Sequence, residues 1–357
     1  MEKIKDIVLQ IADLQSKSSD KYFPKGCFAS YRSNYLWFYK RPDANIFSTA
    51  ITIFTLNQIK NKCDIFTQKL ISDITLNAQN AYHLFENKQG FETYNFFQTK
   101  PSKHFTNGFV LKYLDFLQLP DDIDDTAMVY LTSIPDKIQL EKLQERLKFH
   151  ANTSQKTIVN TFEEYKELPA YSTWFGNKMY NEFDACAMSN ILYCLAYYNL
   201  SFDKHAISTL LYLESVILTN QYIIQPFNVA HHYASTPVIM YHLARLFADF
   251  DRLDSVKVKC KLSDDIALFL DKKTVKGMDR LILETSYLRL NPNLQLSNDE
   301  QVLALYAPDW NFFIGGFLTA FENQFIYKLS SCSIFHMKWS CEAHCLALLA
   351  ERLSFQH

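Results

Sequence analysis

Apolar residues recur at helical spacing along nearly the whole chain, and few residues in it can interrupt a helix. Ile46, Phe47, Ala50, Ile51, Phe54 and Leu56 keep the spacing that turns one helix face towards a core. Pro42 and Asp43 precede them as helix-start signals, with Asp43 the capping candidate. Residues 185–198 read ACAMSNILYCLAYY, nearly apolar all round, the pattern of a helix buried on most sides. The stretches 205–219, 237–250 and 342–353 predict helices by the same count. Only 7 of the 357 residues are Gly, where ordinary usage of ~7% would give about 25. Few positions are therefore left for tight hairpins or phosphate-cradling loops. The breaks at 199–204 and 291–293 are short and polar, and no Pro/Gly/Ser-rich linker divides the chain. These features predict an all-α fold of about a dozen helices in one domain, by usual helix and loop lengths. Residues 1–40 are either part of that domain or a peripheral N-terminal extension.

Charge and motif content narrow the function. Lys and Arg total 36 against 38 Asp and Glu, a net charge of −2, with no basic stripe of the kind a nucleic-acid binder carries. Neither G-x-G-x-x-G nor G-x-x-x-x-G-K-[ST] occurs, so the two commonest nucleotide fingerprints are missing. No apolar run reaches the ~18 residues of a spanning helix, which leaves at most peripheral membrane contact. The opening MEKIKDIVLQIADL has no apolar leader core, so a cytoplasmic location and eight reduced cysteines are expected. Cys341 and Cys345 stand four residues apart, a spacing better explained by one helix face than by a metal pair.

The most informative segment is Leu119-Pro120-Asp121-Asp122-Ile123-Asp124-Asp125-Thr126-Ala127-Met128. Pro opens helices and Asp caps them, which accounts for two carboxylates but not four. Two functional readings remain, divided by protonation state. Facing water or phosphate, Asp121, Asp122 and Asp125 fit D-D-x-x-D, a pattern that holds Mg²⁺ on a diphosphate. Facing an apolar cavity, Asp122, Asp124 and Asp125 form D-x-D-D, in which crowding and desolvation keep the middle carboxyl protonated. The helix dipole favours the anion, so the second reading requires burial to win.

DIDDTAM at Asp122–Met128 resembles the acid motif of class II terpenoid cyclases, particularly the copalyl-diphosphate-synthase type. Ser172-Thr173-Trp174-Phe175, followed by Asp184 to Leu192, resembles the T-W-F…D-x-x-x-x-x-N-x-L pattern of bacterial prenyltransferase/squalene-cyclase-repeat proteins. Tyr233-Ala234-Ser235-Thr236-Pro237, continuing to Tyr241-His242-Leu243-Ala244-Arg245, is similar to their Y-Y-x-S-P…Y-x-x-A-R segment. Phe313 to Phe321 looks like their closing helix. The resemblance implies a single α/α toroid, with an inner and an outer ring of helices around an apolar cavity. It also implies a cyclase of the isomerase or lyase type, in which protonation starts the cyclisation of a prenyl diphosphate or linear polyprenyl chain. Asp124 would be the acid and Asp122 and Asp125 its tuning partners. Trp174, Phe175, Asp184, Asn190, His232 and Tyr233 would bind substrate. No Q-x-x-x-G-x-W repeats occur, and the chain has room for one toroid where full cyclases use two. A second toroid or a homo-oligomer could therefore complete the site. The alternative is a non-catalytic toroid that binds an isoprenoid or a protein partner.

No resident cofactor is expected beyond Mg²⁺ on the diphosphate or the aspartate cluster. Resemblance to protein prenyltransferase β-subunits raises one competing metal set. Asp184-x-Cys186 matches the spacing of their zinc pair, with His231, His232 or His344 as third ligand. The ordinary core reading of the ACAMSN segment outweighs it.

Overall fold

The computed structural model describes residues 2–19, 21–104, 113–114, 118–176, 179–250, 255–294 and 296–356. The first half of the chain contributes helices α1 (Glu2–Leu14), α2 (Ile46–Ile59), α3 (Ile65–Tyr82), α4 (Ile123–Thr132), α5 (Lys137–His150) and α6 (Ala185–Tyr197). The second half adds α7 (Lys204–Leu218), the single turns α8 (Gln221–Ile224) and α9 (Pro226–Val229), and α10 (Thr236–Asp249). It continues with α11 (Val256–Leu270), α12 (Gly277–Leu290), α13 (Asp299–Leu303), α14 (Gln324–Ser330) and α15 (Glu342–Leu353). Each periodic stretch falls on a helix. The cap of α2 is Asn45, which accepts from Ser48 N at 2.8 Å, and not Asp43. Asp43 is fully buried two residues earlier, 3.4 Å from the Arg32 guanidinium and bonded by the Trp339 indole.

Helix α6, nearly apolar all round in sequence, is buried along almost its whole length, and so is α2, whose Ser and Thr residues are buried with its apolar ones. They belong to a closed cycle of contacts in which α2 packs on α4, α4 on α6, α6 on α10, α10 on α12, α12 on α15, and α15 returns to α2. The intervening helices pack against members of this cycle: α3 on α2, α7 on α6, α11 on α10 and α12, and α1 and α13 on α15. Helix α1 is therefore not peripheral. Helix α1 buries Ile4, Ile7, Val8 and Ile11 in the main core, where they pack among the residues of α15 and α3.

The fold is mostly helical, at 56%, with one small sheet. Strands β1 (Tyr31–Asn34), β2 (Tyr39–Pro42), β3 (Asn311–Gly316) and β4 (His336–Ser340) pair antiparallel in the order β2-β1-β4-β3. Tyr31 lies opposite Pro42 on one side and Ser340 on the other, and Phe313 lies opposite Trp339. The expected closing helix at 313–321 is thus strand β3 followed by one tight turn. Its residues explain the difference. Phe312, Phe313 and Ile314 are strand formers, and Gly315-Gly316 costs a helix about 1 kcal/mol per residue. Gly315 also lies under the Trp339 ring, where an added Cβ would sit 2.8 Å from Cζ3.

None of the eight cysteines is disulfide-bonded. Among the described residues, no helix is long and apolar enough to cross a membrane.

Candidate functional site

A cavity of about 330 Å³ lies where α2, α4, α6, α10 and α15 begin. Phe47 reaches it from the first turn of α2, the aspartates from α4, and Ala187 from α6. His232 and Tyr233 enter just before α10, and Phe313, Met337 and Trp339 enter from the sheet. Extended segments hold these helix starts together. Asp122 N donates to Tyr94 O at 3.3 Å, Ile123 N to Thr173 O at 2.9 Å, and Phe175 N to Asp121 O at 2.8 Å.

Asp122 caps α4, its carboxylate accepting from Asp125 N at 2.7 Å. Asp124 and Asp125 then fall in the first helical turn, and all three line the cavity. Asp124 is the most constrained of them. Asn190 Nδ2 donates to its Oδ1 at 2.5 Å, and the Tyr233 hydroxyl donates to its Oδ2. Burial and the adjacent Asp122 push the Asp124 carboxyl up to about 7, against both of those hydrogen bonds. Burial also raises Asp122, to about 6. Both Asp125 oxygens are buried without a hydrogen-bond partner, and burial together with Asp122 lifts this carboxyl well above the ordinary range. Desolvation therefore outweighs the helix dipole.

Asp121 behaves differently. The backbone is still extended there, so its side chain points away from that of Asp122. Asn87 Nδ2 and Thr93 Oγ1 each donate to it at 2.5 Å and Asn95 Nδ2 at 3.3 Å, in a separate polar cleft. The D-D-x-x-D trio is thus divided between two cavities.

The Asn190 amide is oriented from behind. Arg245 on α10 donates to its Oδ1, which leaves Nδ2 for Asp124. Arg245 is itself buried, with its guanidinium 4.9 Å from the Phe54 ring and 5.5 Å from the Tyr241 ring.

Beside His232, Glu182 Oε1 lies 2.7 Å from His232 Nε2, and its Oε2 lies 2.9 Å from His231 Nε2. Burial would raise the Glu182 carboxyl, but the two imidazoles outweigh it and hold it well below the usual range. Burial disfavours charge on His232, yet Glu182, Asp184 and Asp122 lift it to about 9. Its ring stacks over Phe313 at 6.1 Å and meets the Trp174 edge at 5.6 Å. Among the described residues, Glu182, His231 and His232 are the one group placed to hold a metal ion, their ligand atoms lying within 4.8 Å of one another. The Asp184-x-Cys186 pair does not join a histidine in this way. Asp184 caps α6 through the N–H groups of Cys186 and Ala187, and also accepts from His232 N at 2.9 Å. His344 packs on Phe312, away from that pair.

Of the residues expected from sequence, Asp122, Asp124, Asp125, Trp174, His232 and Tyr233 meet in the cavity. Asn190 donates to Asp124, and Asp184 supports the wall from inside the protein. Phe175 lies apart from these residues: it lines the polar cleft, edge-on to His150 at 5.8 Å. Sequence reasoning missed Phe47, Phe96, Phe97, Met337 and Trp339, which are ordinary core aromatics and a methionine until the sheet folds over the helix starts. Glu182 could have been read from its place two residues before the α6 cap, but carried no motif.

No family model, curated protein or solved structure matches this chain.

Proposed function

We propose that this chain is a single α/α toroid that starts cyclisation of a polyprenyl substrate by protonation, with Asp124 as the acid. The observation that carries this reading is Asp124 itself. It is a buried carboxyl whose pKa lies near 7, and it faces an apolar cavity walled by aromatic rings. The closed cycle of helix contacts supports the toroid.

A general acid must hold its proton at working pH and still be strong enough to release it. Burial supplies the first property. The donors on Asn190 and Tyr233, which favour the carboxylate, supply the second. The Asp124 proton passes to the terminal alkene carbon and leaves a tertiary cation. Successive alkenes attack it, each ring closure moving the positive charge along the chain. Loss of a proton from the last cation forms an alkene, so the net reaction is an isomerisation. The rings of Phe47, Trp174, Phe313 and Trp339 line the cavity and exclude water from the cation.

The test is incubation with farnesyl diphosphate, geranylgeranyl diphosphate and squalene, followed by product analysis with and without chelator. Cyclic products that retain any diphosphate, formed by wild type and not by Asp124→Asn, are expected. Products that have lost diphosphate and require Mg²⁺ would contradict the reading. Ligand binding without turnover would favour a non-catalytic isoprenoid-binding toroid.

A further inference from the structure

Glu182 and His231 take no part in the reaction proposed above, yet each is buried to 1% exposure. A carboxylate and imidazoles are costly to bury, and the surrounding chain holds them together from several sides. Glu182 N donates to Ser172 Oγ at 3.2 Å, and Thr173 N donates to Glu182 O at 2.9 Å. Across from it, His232 N donates to Asp184 Oδ2 at 2.9 Å, and Ile314 N donates to His232 O at 2.8 Å. The His231 ring is wedged against Phe227 at 5.9 Å and Tyr327 at 5.8 Å. The imidazoles are thus fixed by packing before any ligand arrives.

Their contacts with Glu182 are close but incompletely matched. Glu182 Oε2 and both ring nitrogens of His231 are buried and, among the described residues, make no hydrogen bond, although Oε2 and Nε2 are 2.9 Å apart. The Tyr327 hydroxyl, on α14, is buried and also has no such partner. An oxygen and a nitrogen that near but out of line satisfy each other poorly as acceptor and donor. As two ligands of one ion the same spacing is ordinary. Bonds of about 2.0–2.2 Å to a metal, at right to tetrahedral angles, set neighbouring ligand atoms about 2.8–3.6 Å apart. The two Glu182 oxygens lie 2.7 and 2.9 Å from the two Nε2 atoms, and the ligand atoms of all three residues fall within 4.8 Å of one another.

We propose that Glu182, His231 and His232 bind one divalent transition-metal ion, zinc by their donor set, which ties the segment before α6 to the segment before α10. Two imidazoles and a carboxylate suit zinc, whereas Mg²⁺ and Ca²⁺ take oxygen ligands. The near-complete burial of Glu182 and His231 gives the ion a structural role behind the cavity wall. The site uses neither Asp184 nor Cys186 and does not depend on the cyclase reading.

The experiment measures metal binding and needs no turnover. The full chain carrying Cys260→Ser and Cys332→Ser, which removes the two exposed thiols, is stripped with chelator. It is then titrated at neutral pH with Zn²⁺, Co²⁺ and Mg²⁺. One zinc per chain is expected. Affinity should fall in Glu182→Gln and in His231→Phe by at least the ~10–100-fold that loss of an outer-shell partner costs. His231→Phe keeps a ring between Phe227 and Tyr327, so it serves if Glu182→Gln does not fold. Two readouts need neither variant. Zinc should raise the melting temperature of the parent chain by mass action, and Mg²⁺ at the same concentration should not. The cobalt adduct should show the visible bands of nitrogen and oxygen coordination, without the strong near-ultraviolet charge transfer of a thiolate. No zinc uptake, unchanged affinity in His231→Phe, equal stabilisation by Mg²⁺, or a thiolate band placing the ion on cysteine would each overturn the proposal. If no cyclisation is found but zinc binds as described, the cyclase reading fails and the metal site stands.

Discussion

Asp124 differs from its neighbours in what it touches. Its two oxygens have one donor each, Asn190 and Tyr233, while Asp125 has none and Asp122 is engaged in capping. The Asp124→Asn change keeps the volume. Its amide oxygen can still accept from Asn190, and its N–H can donate to the Tyr233 oxygen. Cyclisation should fall by the ~10²–10⁴-fold that a general acid contributes, measured as product formed per enzyme. Stability gives an independent check. A carboxyl whose folded pKa is raised from 3.8 to about 7 stabilises the fold fully below the lower value. It loses that contribution as pH rises through the upper one. The melting temperature of Asp124→Asn should therefore gain on that of wild type as pH rises from about 4 to about 7, the interval between the two values. A constant difference across that range would mean that Asp124 does not titrate there. Tyr233→Phe makes the complementary test. It removes a donor that favours the carboxylate, so the alkaline limb of the pH–rate profile should move upward while the rate falls.

At the scale of elements, the site is made by helix beginnings. Asp122 and Asp184 cap α4 and α6 at the cavity, so replacing either with Ala should cost about 1 kcal/mol of helix capping, read as a shifted denaturation midpoint. Asp184→Ala should cost more, because that carboxylate also holds the His232 N–H and two cap donors. The sheet contributes through close packing. Gly315→Ala puts a methyl 2.8 Å from the Trp339 ring, and the overpacking should cost about 1–3 kcal/mol and tilt a cavity wall. The helices were legible because their apolar spacing is local: 185–198 and 342–353 predict α6 and α15 almost to the residue. Strand β3 was not legible. Its pairing partner β4 lies about twenty residues further on, and β1 lies near the start of the chain. The capping role moved from Asp43 to Asn45 because Asp43 is drawn to Arg32 and Trp339, neither of them local.

At the scale of the whole molecule, the sheet joins the first strands of the chain to its last segment across the end of the helix cycle where the cavity opens. The chain thereby builds an apolar cavity and a polar cleft side by side, with the aspartate run at their boundary. That run was legible as a cluster, and so was the D-x-D-D alternative within it. Its division was not, because the point where Asp121 leaves the helix axis depends on Tyr94 and Thr173 from two other segments. Tyr233 and Asn190 were readable only as parts of a resemblance, since their meeting at Asp124 joins α4, α6 and the approach to α10. The most direct test of the central claim is turnover of geranylgeranyl diphosphate in deuterated water. Protonation by Asp124 predicts a cyclic product that carries one deuterium at the carbon first protonated, formed by wild type and lost in Asp124→Asn. A product without deuterium, or Asp124→Asn turning over at the wild-type rate, would contradict it.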